Sequence, residues 1–67
     1  MVDTTKLKSI IVLNNMTQES VARVIGITPK TFYARMKKGV FGSDEIEKMI
    51  DLLHIEDPMA VFFVPNE

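Results

Sequence analysis

Residues 17–36, TQESVARVIGITPKTFYARM, carry the signals that most constrain this chain. Thr17 has a hydroxyl that can accept a backbone N–H left unpaired in a first helical turn, so a helix is predicted to begin at Gln18. Val21, Val24 and Ile25 recur at three- and four-residue spacing with Ala22 beside them, while Glu19, Ser20 and Arg23 fall elsewhere on the cylinder. That pattern predicts one apolar stripe. Gly26 follows the last apolar position and can take the left-handed conformation that ends a helix and turns the chain sharply. Only Ile27 separates it from Thr28, a second N-cap, and Pro29 suits a first helical position, where its missing N–H would be orphaned anyway. Helix, turn and helix leave no spare residues.

The second helix presents two chemistries. Phe32 and Met36 are four apart and are expected to point inward, which leaves Lys30, Thr31, Tyr33, Ala34 and Lys37 on the other faces. The outward surface is basic, small and hydroxylated. A helix entering a major groove needs this combination: cations for phosphates, short side chains for close approach, and a few donors for base edges.

The segment resembles the helix-turn-helix of the phage repressor and Cro family. Gln18-Glu19-Ser20-Val21-Ala22 is similar to the opening of the lambda repressor motif, with Ala22 where the helices cross, Gly26 in the turn and Phe32 at the buried position of the second helix. The similarity continues through the basic loop, the SDEIEKMIDLL helix and the DPMAVFF segment, over about residues 4–63. It implies an all-α, lambda-repressor-like DNA-binding domain of four to five short helices, a single domain over residues 1–67 with the motif at 17–36. It further implies a sequence-specific regulator of transcription that binds double-stranded DNA, of phage or prophage repressor/Cro type. In such a protein the helix after Thr28 lies in the major groove, where Lys30 and Thr31 would read bases, flanked by Tyr33, Ala34 and Pro29. Thr17, Gln18, Thr28, Lys37, Lys38 and the backbone near Ser43 would hold phosphates, helped at Gln18 by helix-start N–H groups. Arg35 stands where the family often packs a large residue, and its aliphatic stem can do likewise. Pro29 and Ala34 replace the long polar side chains that family members often carry. Direct readout is therefore expected to be thin, with DNA shape and deformability contributing to preference. The rival reading is a protein-interaction module that docks the same helix pair on a partner.

Charge sharpens this expectation. The chain sums to −1, yet residues 1–40 carry Lys6, Lys8, Arg23, Lys30, Arg35, Lys37 and Lys38 against Asp3 and Glu19, a net +5. Residues 41–67 carry Lys48 against Asp44, Glu45, Glu47, Asp51, Glu56, Asp57 and Glu67, a net −6. Such a dipolar field would turn the first part toward a polyanion. Cysteine is absent, which removes disulfides and thiolate ligation from consideration. The opening MVDTTKLKSIIVL has an apolar run too short for a bilayer and lacks a secretory pattern, so a cytoplasmic location and no membrane partner are expected.

The remaining segments frame the motif. A helix is predicted over residues 5–14, with Leu7, Ile10 and Ile11 inward and Asn14-Asn15 breaking it. Val40 and Phe41 are expected to tuck under the domain after Gly39. Ser43 is read as the cap of the next helix, with Asp44, Glu45 and Glu47 matched to its dipole and Ile46, Met49, Ile50 and Leu53 as its buried face. Asp57-Pro58 favours a closing helix of about two turns, with a terminal strand as the alternative for Val61-Phe62-Phe63-Val64. One of Phe62 and Phe63 should close the core. The other is open to intramolecular packing or to a homodimer interface, including one formed on DNA. No nucleophile with a base, paired-carboxylate pocket, metal cluster or phosphate-cradling glycine loop is legible, so the chain is read as a non-enzyme without cofactor, metal or small-molecule ligand. His54, at a helix end, is read as a capping or surface residue.

Overall fold

Capping side chains set the helix boundaries in the computed structural model, which describes residues 1–65; Glu67, counted above in the charge of the second part, lies outside the described residues. Helix α1 (Thr4–Leu13) starts where the Asp3 carboxylate accepts the Lys6 N–H at 3.0 Å. Helix α2 (Gln18–Ile25) opens with reciprocal bonds: Ser20 N–H donates to Thr17 Oγ1 at 3.1 Å, and Thr17 N–H donates to Ser20 Oγ at 2.9 Å. Helix α3 (Pro29–Lys38) begins at Pro29 behind the Thr28 cap, and α4 (Ser43–Leu53) and α5 (Pro58–Phe62) complete the set. All regular structure among the described residues is helical. The closing segment is thus a helix, capped by Asp57 on the Ala60 N–H, and the strand alternative is set aside.

One cap differs from expectation. Ser43 is the first helical residue of α4 and Gly42 is its N-cap; the Glu45 carboxylate accepts the Gly42 N–H at 2.9 Å. A carboxylate three residues into the helix reaches back to the N–H of the N-cap residue, while the first-turn N–H groups of α4 receive no side-chain cap. The breaks fall where small or polar residues tolerate positive φ: Gly26 at 88° and Gly39 at 72° end α2 and α3, and His54 at 52° ends α4.

The core is built from one face of each helix. Leu7 and Ile11 of α1, Val21, Ala22 and Ile25 of α2, Phe32 and Met36 of α3, Met49 and Leu53 of α4, and Val61 and Phe62 of α5 are buried together. The Phe32 ring meets Phe41 at a centroid distance of 5.3 Å and a tilt of 58°, an edge-inclined contact favoured by the aromatic quadrupole. Two apolar residues fall outside the core despite expectation. Val24 is 59% exposed, because the buried stripe of α2 is centred between Val21, Ala22 and Ile25 and Val24 sits about 100° around the helix from that centre. Val40 is 60% exposed while Phe41 is buried: after Gly39 the Val40 N–H bonds back to Arg35 O, and only the next residue turns in against Phe32.

Long-range bonds close the structure. Val2 is buried, with its N–H donated to Gly39 O at 2.9 Å, and Asp3 N–H reaches Val61 O at 2.7 Å, so the first residues join the end of α3 to α5. Asn14 Nδ2 donates to Ile10 O and to Leu53 O, tying the end of α1 to the end of α4. Lys48 Nζ donates to Ile25 O at 3.4 Å, a cation at the negative end of the α2 dipole.

Two substitutions test this core. Phe32→Ala removes a side chain with no exposed surface. It should cost about 3–5 kcal/mol, against a total stability of about 3–10 kcal/mol for a chain of this length, and abolish or severely lower the cooperative thermal transition seen by circular dichroism. Val24→Ser should change stability by less than about 0.5 kcal/mol, whereas a large loss would contradict the placement of Val24 at the surface.

Candidate nucleic-acid interface

The exposed face of α3 follows from its buried one. With Phe32 and Met36 inward, Lys30, Tyr33, Ala34, Lys37 and Lys38 are exposed and Pro29 and Thr31 are half-buried. Lys30, Thr31, Ala34 and Lys38 line one shallow depression of about 390 Å³, together with Arg35 and Val40. Thr17, Gln18 and Tyr33 share a second, of about 450 Å³, with Lys8, Ile11, Val12 and Met16. The fold therefore collects the expected residues into two adjoining concavities, one along α3 and one at the start of α2. Pro29, Thr28, Lys37 and Ser43 line neither of them.

The two threonine caps are committed locally. Thr28 Oγ1 accepts the Thr31 N–H at 3.1 Å and lies 2.9 Å from Thr31 Oγ1, so the two hydroxyls share one hydrogen bond. One hydroxyl of the pair keeps its hydrogen for an outside acceptor. Thr17 Oγ1 is occupied by the Ser20 N–H.

Tyr33 is engaged by a residue that sequence reading left aside. Its hydroxyl donates to Glu19 Oε1 at 3.2 Å across the α2–α3 junction, and the other Glu19 oxygen lies 4.0 Å from Arg23 Nη2. Partial loss of hydration at the junction, the Glu19 charge and the hydrogen bond to it all raise the Tyr33 phenol above its ordinary value of 10.0. The Glu19–Arg23 spacing of four was a visible sequence signal for an ion pair. The Glu19–Tyr33 contact, between residues on different helices, had no such signal.

Arg35 departs from simple packing of its stem. Its Nε lies 2.7 Å from Glu45 Oε1. The N–H is not aligned for a regular hydrogen bond, so the contact is a close charge pair in which the Glu45 side chain is 13% exposed and that of Arg35 39% exposed. Glu45 therefore serves both the Gly42 N–H and the Arg35 guanidinium. No group of three His, Cys, Asp or Glu side chains among the described residues is placed to hold a metal ion. No helix among them is long and apolar enough to cross a membrane.

Comparison of the chain with family models, with curated proteins and with solved structures gives no match. The geometry of the two concavities is therefore the ground on which function is argued.

The Tyr33–Glu19 contact is directly measurable, because Tyr33 is the only tyrosine and the chain lacks tryptophan. Phenolate absorbance should titrate with a midpoint above 10.0, and Glu19→Gln should bring that midpoint down toward the ordinary value. A raised folded-state value means that the contact supports the fold below the ordinary pKa and is lost as pH rises through the folded midpoint. An identical midpoint in both proteins would show that Glu19 does not act on the phenol.

Proposed function

We propose that this chain is a lambda-repressor-like, helix-turn-helix regulator that binds double-stranded DNA sequence-specifically, with α3 as the reading helix. One observation carries the reading: the sharp Gly26 turn sets α3 beside α2 with Phe32 inward and Lys30, Thr31, Ala34 and Lys38 together on one concave outer face. A cation, a hydroxyl and a methyl side chain along one helix face match what base edges and phosphates offer in a major groove.

Within this reading Lys30 points its ammonium at the guanine O6 and N7 acceptors, a contact worth about 1–3 kcal/mol of discrimination when well formed. Thr31 supplies its hydroxyl. Ala34 permits close approach, and Pro29 supplies shape without a donor. Tyr33 is the weaker candidate, since its hydroxyl must leave Glu19 before it can donate to a phosphate. Gln18 and the helix-start backbone of α2 take one phosphate flank, while Lys37, Lys38 and the start of α4 near Ser43 take the other.

Size bears on stoichiometry. The longest extent of the fold is 30 Å, less than the roughly 34 Å between half-sites one helical turn apart. A palindromic operator would thus be read by two copies, assembled through the DNA or through exposed apolar residues such as Phe63, which is 51% exposed while Phe62 closes the core. Repression of a phage or prophage promoter is the regulatory role this reading favours, in the cytoplasm of a bacterial host.

Selection of bound duplexes from a random pool, followed by titration at several salt concentrations, tests the proposal. Lys30→Ala should relax preference at one or two base pairs. Lys38→Ala should weaken all duplexes alike and make the slope of log affinity against log salt shallower by about 1. Equal losses on every sequence for both variants would remove the division between reading and anchoring, and absence of binding at low salt would favour a protein partner for the same face.

A further inference from the structure

We propose that Arg35 is a third cation of the reading face, a ligand for a DNA backbone phosphate, and that Glu45 is its positioning residue. The inference rests on the DNA-binding reading above and deepens it at a residue whose sequence context left its role open.

Arg35 lies on the last turn of α3, and its Nε is drawn to 2.7 Å from Glu45 Oε1 on the first turn of α4. Glu45 is itself restrained, because the same oxygen accepts the Gly42 N–H at 2.9 Å and the side chain is 13% exposed. The guanidinium is thus held near its inner nitrogen by charge attraction to a carboxylate that cannot swing away without losing the Gly42 N–H. Its two terminal nitrogens have no hydrogen-bond partner among the described residues, and 39% of the side chain remains exposed.

The second observation is which residues share a depression with Arg35. Arg35 lines the same depression as Lys30 and Lys38, and no carboxylate side chain contributes to that lining. Three cations therefore converge on one concave surface. A guanidinium held at Nε presents its outer N–H groups as a planar fork, the geometry that pairs with two oxygens of a phosphate, and immobilising it beforehand removes ordering that a free arginine would undergo on binding. Were Arg35 merely neutralised by Glu45, the pair would have small net value for stability and would add nothing to binding. The two roles make opposite predictions for Glu45. A neutralising carboxylate weakens DNA binding, so its removal strengthens it; a positioning carboxylate strengthens DNA binding, so its removal weakens it despite the loss of a negative charge.

The test is a double-mutant cycle on duplex affinity with the full chain, using a sequence selected for tight binding and an unrelated duplex. Arg35→Met keeps the apolar stem and should reduce affinity for both duplexes on the order of tenfold, with a salt slope shallower by about 1. Glu45→Gln keeps an oxygen for the Gly42 N–H and should reduce affinity about threefold, and the double variant should bind no more weakly than Arg35→Met alone. Arg35→Lys, which restores charge without the fork, should lose more than twofold in affinity and less than Arg35→Met; it also stands in for Arg35→Met if that variant loses its thermal transition. Arg35→Met or Arg35→Lys binding within twofold of the parent, on a duplex that Lys38→Ala weakens, would overturn the assignment while leaving the DNA reading intact. Glu45→Gln binding as tightly as the parent or more tightly would overturn the positioning role. A parent protein that shifts no duplex at low salt would overturn the DNA reading and this assignment with it.

Discussion

Phe32 has no exposed surface, and its ring lies 5.3 Å from that of Phe41 across the end of α3. Burying it fixes the rotation of α3 about its own axis, because a residue at full depth leaves the helix one way to face. Lys30, Ala34 and Lys38 then stand on the outer side, and Arg35 is directed toward the start of α4. The Gly26 turn fixes the remaining freedom by setting how α3 departs from α2, and Ala22, with no exposed surface of its own, lets the two helices approach closely. A larger side chain there would push the pair apart. The proposed DNA face is thus a consequence of core packing one residue deep, not of any interaction among the surface side chains themselves.

Electrostatic contacts refine what packing establishes. Three polar contacts link α2, α3 and α4: Tyr33 to Glu19, Arg35 to Glu45, and Lys48 to the last carbonyls of α2. Each is largely or partly exposed, so none adds much to stability. Their effect is on orientation. Glu45 and Lys48 restrain α4 against the ends of α3 and α2, which holds the Gly39 to Gly42 loop in register with the outer face of α3. Glu19 works in the other sense, placing a negative charge beside Gln18 and occupying the Tyr33 hydroxyl. Within the DNA reading it lowers sequence-independent attraction at the start of α2, so that binding leans more heavily on the Lys30 side of the face.

Local signals were the legible ones. Thr17 and Thr28 are caps, Gly26 and Gly39 take positive φ, Pro29 opens α3 and Asp57-Pro58 opens α5, because each of these is a property of a residue and its nearest neighbours along the chain. The inward positions at spacings of three and four were mostly legible for the same reason. The failures are instructive. Val24 has the spacing of a core residue but α2 is only 8 residues long, and which third of so short a cylinder is buried depends on the neighbours that cover it. Val40 and Phe41 are adjacent and equally apolar, and the choice between them was made by the space left beside Phe32. Ser43 has the chemistry of a cap, yet it is the first helical residue of α4, and it is Glu45 that reaches back, to the Gly42 N–H, with Arg35 drawn to the same carboxylate.

The amino-acid sequence by itself determined the number and approximate limits of the helices, the sharp turn between α2 and α3, and the basic, small and hydroxylated composition of the outer face of α3. Those follow from dihedral preference, capping and periodicity, all of which act within a few residues. Only the tertiary structure decided that Val2 is buried against the end of α3, that Tyr33 is held by Glu19, and that Arg35 joins Lys30 and Lys38 in one depression with Glu45 behind it. These contacts join residues on different elements, so their partners are chosen by how the helices pack, and packing is settled by the shape of the core as a whole and not by any one stretch of chain.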